Sequence, residues 1–231
     1  MQDESHQKSI CKLGGTAALI AGPLTMVDIM IFVIWPQPTT IEGAFALFQR
    51  NWFIGLLDYD LLGMIIYVII IPTILALYFL LRRSNQSWAA VGGVLSFIGM
   101  ANYFASNTGI SMLSLSGQYA AAATDAQKSM YLSAGQAVLA IFLGQAFTIS
   151  FILVSSALLI MAFVMRDSAV FSGRTAYIGI AANLAGLGEM LPVPIAIIMV
   201  IGVVNAVGLG AWFVLIGRRL LHQTQGVRES S

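Results

Sequence analysis

The chain has 231 residues, of which 58% are apolar and only 9% charged, and its 11 Lys and Arg against 10 Asp and Glu leave a formal net charge of +1. At a mean hydropathy of +0.87, no single soluble core could hide so much apolar surface, whereas a bilayer accepts it in helices of roughly 20 residues. The charge balance gives no footprint for nucleic acid, and a single cysteine rules out an intrachain disulfide.

Six apolar stretches follow one another, at 13–35, 54–81, 88–110, 137–165, 175–191 and 195–217. They predict an all-α, six-span transmembrane helical bundle forming one domain over 13–221, between tails at 1–12 and 222–231. The first stretch exceeds the roughly 7–15 residues of a signal-peptide core and has no Ala-x-Ala-like site after it, so it reads as a retained helix. Lys8, Lys12, Arg82, Arg83, Arg166, Arg174, Arg218, Arg219 and Arg228 fall on one side of these spans, and only Arg50 and Lys128 on the other. That asymmetry predicts cytoplasmic N and C termini and a multi-pass protein of the cell membrane.

Between the first two spans, Thr39-x-x-Glu42 reads as a capping box, and Ile41, Phe45 and Phe48 recur at helical spacing, so a short amphipathic helix is expected on the outer interface. Thr124-x-x-Gln127 is a second capping box, opening a helix toward the fourth span. Pro23 and Pro72 fall inside spans as candidate kinks. Gly202, Ala206 and Gly210 on the sixth span, and Ala182 and Gly186 on the fifth, form small-residue ladders suited to close helix packing.

The two histidines, His6 and His222, lie in the tails, and Cys11 lies at the inner boundary, so no zinc-ligand spacing exists; neither a metal nor a cofactor is expected. No phosphate loop, dinucleotide fingerprint or Ser, His and acid arrangement is present. What remains is a set of polar residues inside the spans. Counted from the cytoplasmic ends at about 1.5 Å per residue, Asp28, Asn102, Glu189 and Asn205 fall roughly 20–22 Å up their helices, within one layer. No Lys or Arg accompanies them inside a span. Asp28 and Glu189 should therefore face the bundle interior and share a proton, bind a cation or accept hydrogen bonds. With Asn102, Asn107 and Asn205 they form the candidate ligand-binding set. The alternative is that the acids are protonated and tie helices together.

Asp58 and Asp60 open the second span, and 61–81 can cross alone, so Asp58 is expected to touch headgroup water. Tyr59-Asp60 and Gly186-Leu187-Gly188-Glu189 partly resemble the paired-acid motifs of intramembrane aspartyl proteases. The second acid is Glu instead of Asp, the Pro-Ala-Leu element is missing, and the depth count separates Asp60 from Glu189 by about 11 Å.

Arg82-Arg83-Ser84-Asn85-Gln86-Ser87, Tyr103-Phe104-Ala105-Ser106-Asn107-Thr108 and Ser172-Gly173-Arg174-Thr175-Ala176-Tyr177-Ile178-Gly179 resemble an uncharacterised prokaryotic family of multi-pass integral membrane proteins, catalogued only as a domain of unknown function. The resemblance implies a multi-helix membrane domain; it brings no catalytic residue, substrate or cofactor. The residues themselves suggest binding or transport of a small cationic or neutral amphiphilic ligand in an outer-leaflet polar pocket. A non-catalytic scaffold or partner subunit, in a homo-oligomer or with another membrane protein, is the alternative, and a two-carboxylate hydrolase a remote one. The lipid bilayer is the partner common to every reading, and none involves nucleic acid.

Overall fold

A computed structural model of the chain describes residues 2–35, 37, 38, 40–142 and 144–225. Among them the fold is all-α, with nine helical elements and no strand. Helix α1 (Gln2–Ile34) is followed by the short helices α2 (Ile41–Arg50) and α3 (Trp52–Asp58), then by α4 (Leu61–Ser106). Next come α5 (Gly109–Ala121), α6 (Asp125–Phe142), α7 (Gln145–Arg166), α8 (Gly173–Gly188) and α9 (Ile195–Gln225).

Helix α4 is a hairpin. Asn85 leaves helical geometry at φ −153° and ψ 98°, and its side-chain oxygen accepts the Trp88 N–H at 3.2 Å, capping the helix that restarts there. The two arms, 61–84 and 86–106, return side by side: Tyr103 bonds to Asp60, and the Tyr67 and Tyr103 rings lie 4.5 Å apart. In a straight helix Asp60 and Tyr103 would be about 65 Å apart. No other residue of α4 leaves helical geometry, so the chain stays helical through Pro72.

The bundle closes as a ring. Helix α1 packs between α9 and the first arm of α4; the second arm packs on α7, α7 on α8, and α8 on α9. Glycine sets the closest approach. A Cβ on Gly22 would stand 2.7 Å from the Gly210 carbonyl oxygen, and one on Gly210 would stand 2.8 Å from that of Gly22. Seven residues away the pattern repeats: Cβ atoms on Gly15 and Gly217 would stand 3.1 and 2.7 Å from each other's carbonyl oxygens. This antiparallel seam of Gly15 and Gly22 against Gly210 and Gly217 brings α1 and α9 backbone to backbone, the favoured mode where no hydrophobic force drives helices together. The expected ladder is likewise used within the chain. Gly186 faces Asn205, Gly202 faces Glu189, and Gly208 meets Ala182.

Beyond one end of the ring lies a second layer, in which α2, α3, α5 and α6 enclose Ile41, Phe45, Phe48, Tyr59, Met112 and Phe142. Thr39 lies outside the described residues; Thr40 makes the cap of α2, accepting the Gly43 N–H at 3.1 Å. The cap at Thr124 forms as the spacing predicts, with Thr124 Oγ1 accepting the Gln127 N–H and Gln127 Oε1 accepting those of Ala123 and Thr124. Helix α6 ends at Phe142, which packs in this layer, and α7 starts after Gly144. Apolar composition cannot mark that break. Asp58 also departs from expectation. It is only 1% exposed, and both carboxylate oxygens lack partners.

Four helical stretches are long and apolar enough to cross a membrane among the described residues: Gln7–Ile34, Leu61–Ala121, Asp125–Arg166 and Ile195–Thr224. Helix α8, at 16 residues, is about 24 Å long and short of a 30 Å hydrocarbon core. Bulky apolar residues cover the outside; on α1, Leu13, Ile20, Val27 and Ile34 are exposed at seven-residue intervals. Exposed Trp35, Trp52 and Phe53 mark one end of the bundle, and Trp88 and Tyr177 the other, where Arg82, Arg83, Arg166, Arg174, Arg218 and Arg219 also lie.

Replacing Gly22 or Gly210 with leucine should force α1 from α9 and destabilise the fold by about 1–3 kcal/mol or more, as overpacking does. Gly117→Ala, where a Cβ meets nothing within 4 Å, should leave stability within about 0.5 kcal/mol of wild type. Thermal unfolding of the detergent-solubilised variants tests the contrast.

Candidate functional site

A cavity of about 240 Å³ opens inside the ring, toward the end away from the arginines. Its polar lining comes from five elements or their junctions: Thr25 and Asp28 from α1, Asp60 ahead of α4, Tyr67 and Tyr103 from the two arms, Ser155 from α7, Asn183 and Glu189 on α8 and at its end, and Asn205 on α9. Phe147 and Phe151 supply an aromatic wall that continues the two tyrosines, with ring centroids 5.9 Å apart for Tyr103 and Phe147 and 6.3 Å for Phe147 and Phe151.

Asp60 reaches the cavity through an unusual backbone. It has φ 64° and ψ 35° and is the only residue other than glycine with positive φ among those described. The left-handed region costs a residue with a Cβ about 1–2 kcal/mol, less for Asp and Asn. Asp60 occupies the N-cap position of α4 without capping it; its carboxylate instead accepts a hydrogen bond from the Tyr103 hydroxyl. Gly63 makes room, since a Cβ there would stand 2.2 Å from Asp60 Oδ1 and 2.7 Å from the Tyr103 hydroxyl. A local capping preference has yielded to a tertiary contact inside a cavity.

Glu189 is the C-cap of α8, where the helix dipole disfavours a negative charge. Asn205 Nδ2 donates to its Oε1 at 2.7 Å, and Gly202 leaves space beside Oε2, which a Cβ would approach to 3.3 Å. Asn205 is 6% exposed and Asp60 8%. Three oxygens in the cavity are buried without a hydrogen-bond partner: Asp28 Oδ1, Asp60 Oδ1 and Asn205 Oδ1. No Lys, Arg or His lines the cavity among the described residues, and no group of three His, Cys, Asp or Glu among them is arranged to hold a metal ion.

Of the five residues singled out from sequence, Asp28, Glu189 and Asn205 line this cavity, whereas Asn102 and Asn107 do not. Asn102 Nδ2 donates to the Ala146 carbonyl at 2.6 Å, tying the second arm to α7. Asn107 donates to the Tyr59 carbonyl at 2.8 Å and accepts the Gly109 N–H at 3.1 Å, holding the turn between α4 and α5. Asp60, Tyr67 and Tyr103 also line the cavity, although they lie outside the candidate ligand-binding set. A straight-helix count put Asp60 about 11 Å too far out. The structure nonetheless places Asp60, just ahead of α4, in one cavity with Glu189.

Among protein-family models, curated proteins and solved structures, nothing matches this chain.

Proposed function

We propose that this is a six-span membrane protein of the cell membrane, with cytoplasmic termini, that binds and moves a small cationic or neutral amphiphilic ligand through the acid-lined cavity. The observation that carries the reading is three carboxyl groups and an unpartnered amide oxygen in one cavity with no basic side chain. Ionised acids in a low-dielectric interior demand compensation, and with no basic side chain lining the cavity it comes from protons or from a bound cation. Asp28, Asp60 and Glu189 carry the charge in this reading, and Asn205 orients Glu189. Family membership with the uncharacterised prokaryotic membrane proteins is part of the same proposal. The six-span topology is supported by the fold-back of α4 at Asn85 and by basic residues gathered at one end.

The scaffold reading loses the surface that motivated it, because Gly202 and Gly210 face Glu189 and Gly22 of the same chain. The hydrolase reading gains a shared cavity for Asp60 and Glu189, but these acids accept hydrogen bonds from different partners, Tyr103 and Asn205. A two-carboxylate mechanism needs the pair to share a proton and a water.

In a Cys11-free background, a cysteine at Thr124 should react with a membrane-impermeant thiol reagent on intact cells and one at Ser87 should not; the reverse pattern would overturn the topology. For the ligand, a panel of cations and amphiphiles should contain compounds that raise the melting temperature of the purified protein by mass action. Asp28→Asn and Glu189→Gln should abolish those shifts. Shifts that survive both substitutions would remove the cavity as the binding site.

A further inference from the structure

The fully buried, unpartnered polar atoms of the cavity share one chemical character. Asp28 Oδ1, Asp60 Oδ1 and Asn205 Oδ1 are all acceptors; of the donors beside them the Tyr103 hydroxyl and one Asn205 amide N–H are given to Asp60 and Glu189, and the less deeply buried hydroxyls of Tyr67 and Ser155 also line the cavity. A ligand completing this set must supply N–H or O–H donors. Asn205 adds an observation independent of the acids: a neutral amide oxygen more than nine-tenths buried and unpartnered in the cavity wall, which an anion would repel and a donor would satisfy.

Two classes of cation fit this lining poorly. A metal ion needs convergent ligands, and no group of three such side chains is so arranged among the described residues. A quaternary ammonium offers charge to the aromatic wall of Tyr67, Tyr103, Phe147 and Phe151 but has no donor, so every acceptor oxygen would stay unpaired. A protonated amine answers both demands. Its N–H groups can bond the acceptor oxygens while its apolar body lies against the rings. The volume of about 240 Å³ falls below the range of roughly 300–1,000 Å³ typical of drug-sized ligands, so the body must be small.

We infer that the cavity selects a protonated primary or secondary amine on a small apolar or aromatic body, over a quaternary ammonium, a metal ion or a neutral isostere, because its fully buried, unpartnered polar atoms are all acceptors beside an aromatic wall. This inference rests on the reading of the cavity as a ligand site and names its ligand class.

The test is a matched series on purified full-length protein in lipid nanodiscs: 2-phenylethylamine, its N-methyl and N,N,N-trimethyl derivatives, and 2-phenylethanol, with binding measured by calorimetry. Wild type should bind the primary and secondary amines at least tenfold more tightly than the trimethylammonium compound and the alcohol. Asp60→Asn, which keeps a residue tolerant of left-handed backbone, should bring that preference below threefold. If the trimethylammonium compound or the alcohol binds as well as the amines in wild type, and Asp28→Asn or Glu189→Gln weakens all of them, the amine assignment fails while the ligand site stands. If no probe binds, or if the cavity substitutions leave binding unchanged, both fail. The wild-type series alone decides selectivity, so the inference stays open to refutation even if a variant does not fold.

Discussion

A carboxyl group surrounded by apolar helices must be protonated, paired or hydrogen-bonded, and this chain has three such groups lining one cavity without a basic side chain among them. Much of the surrounding architecture serves to hold these groups in place. The hairpin at Asn85 returns Tyr103 to Asp60, and Gly63 leaves room for their hydrogen bond. The turn after α8 leaves Glu189 where Asn205 can donate to it. The glycine seam between α1 and α9 draws Asp28 toward the residues of α9, since Gly22 and Gly210 lie within two turns of Asp28 and Asn205 respectively.

Two kinds of packing divide the work. In the ring, small residues bring backbones together and leave large apolar side chains to cover the outside, as lipid requires. In the second layer Phe45, Phe48, Tyr59 and Phe142 point inward, with Phe48 and Phe142 packed on Tyr59 at centroid distances of 5.3 and 5.1 Å. Tyr59 is therefore anchored in the layer while its neighbour Asp60 lies in the cavity, so this dipeptide is one of the joints between the two halves of the molecule. Asn107 reinforces that joint through the Tyr59 carbonyl.

Hydropathy made the helical membrane character legible because it depends on composition summed over about 20 residues. Finer features were legible only where a local rule decided them. The Thr124 and Gln127 cap formed as its spacing predicts, and the depth count brought out Asp28, Glu189 and Asn205, which share a cavity. The same count also selected Asn102. Depth says nothing of direction, and residues one apart on a helix point about 100° apart, so Tyr103 lines the cavity while Asn102 turns to α7. Asp60 escaped because its position depends on a left-handed residue that no apolar pattern announces. The seam of Gly15 and Gly22 against Gly210 and Gly217 escaped as well, because its pairing depends on α1 and α9 being neighbours.

The central claim is that the three acids make a cation-selective interior open to small solutes. Ser155 lines the same cavity from α7, and in a Cys11→Ala background a Ser155→Cys thiol would report on it directly. The rate of its modification by 2-aminoethyl methanethiosulfonate, divided by the rate with the 2-sulfonatoethyl reagent and normalised to the same ratio for a free thiol, measures the charge selection inside. The account predicts a normalised ratio of at least ten that falls toward one when Asp28→Asn and Asp60→Asn are combined. An unreactive thiol, or a ratio near one that the acid substitutions do not change, would contradict it.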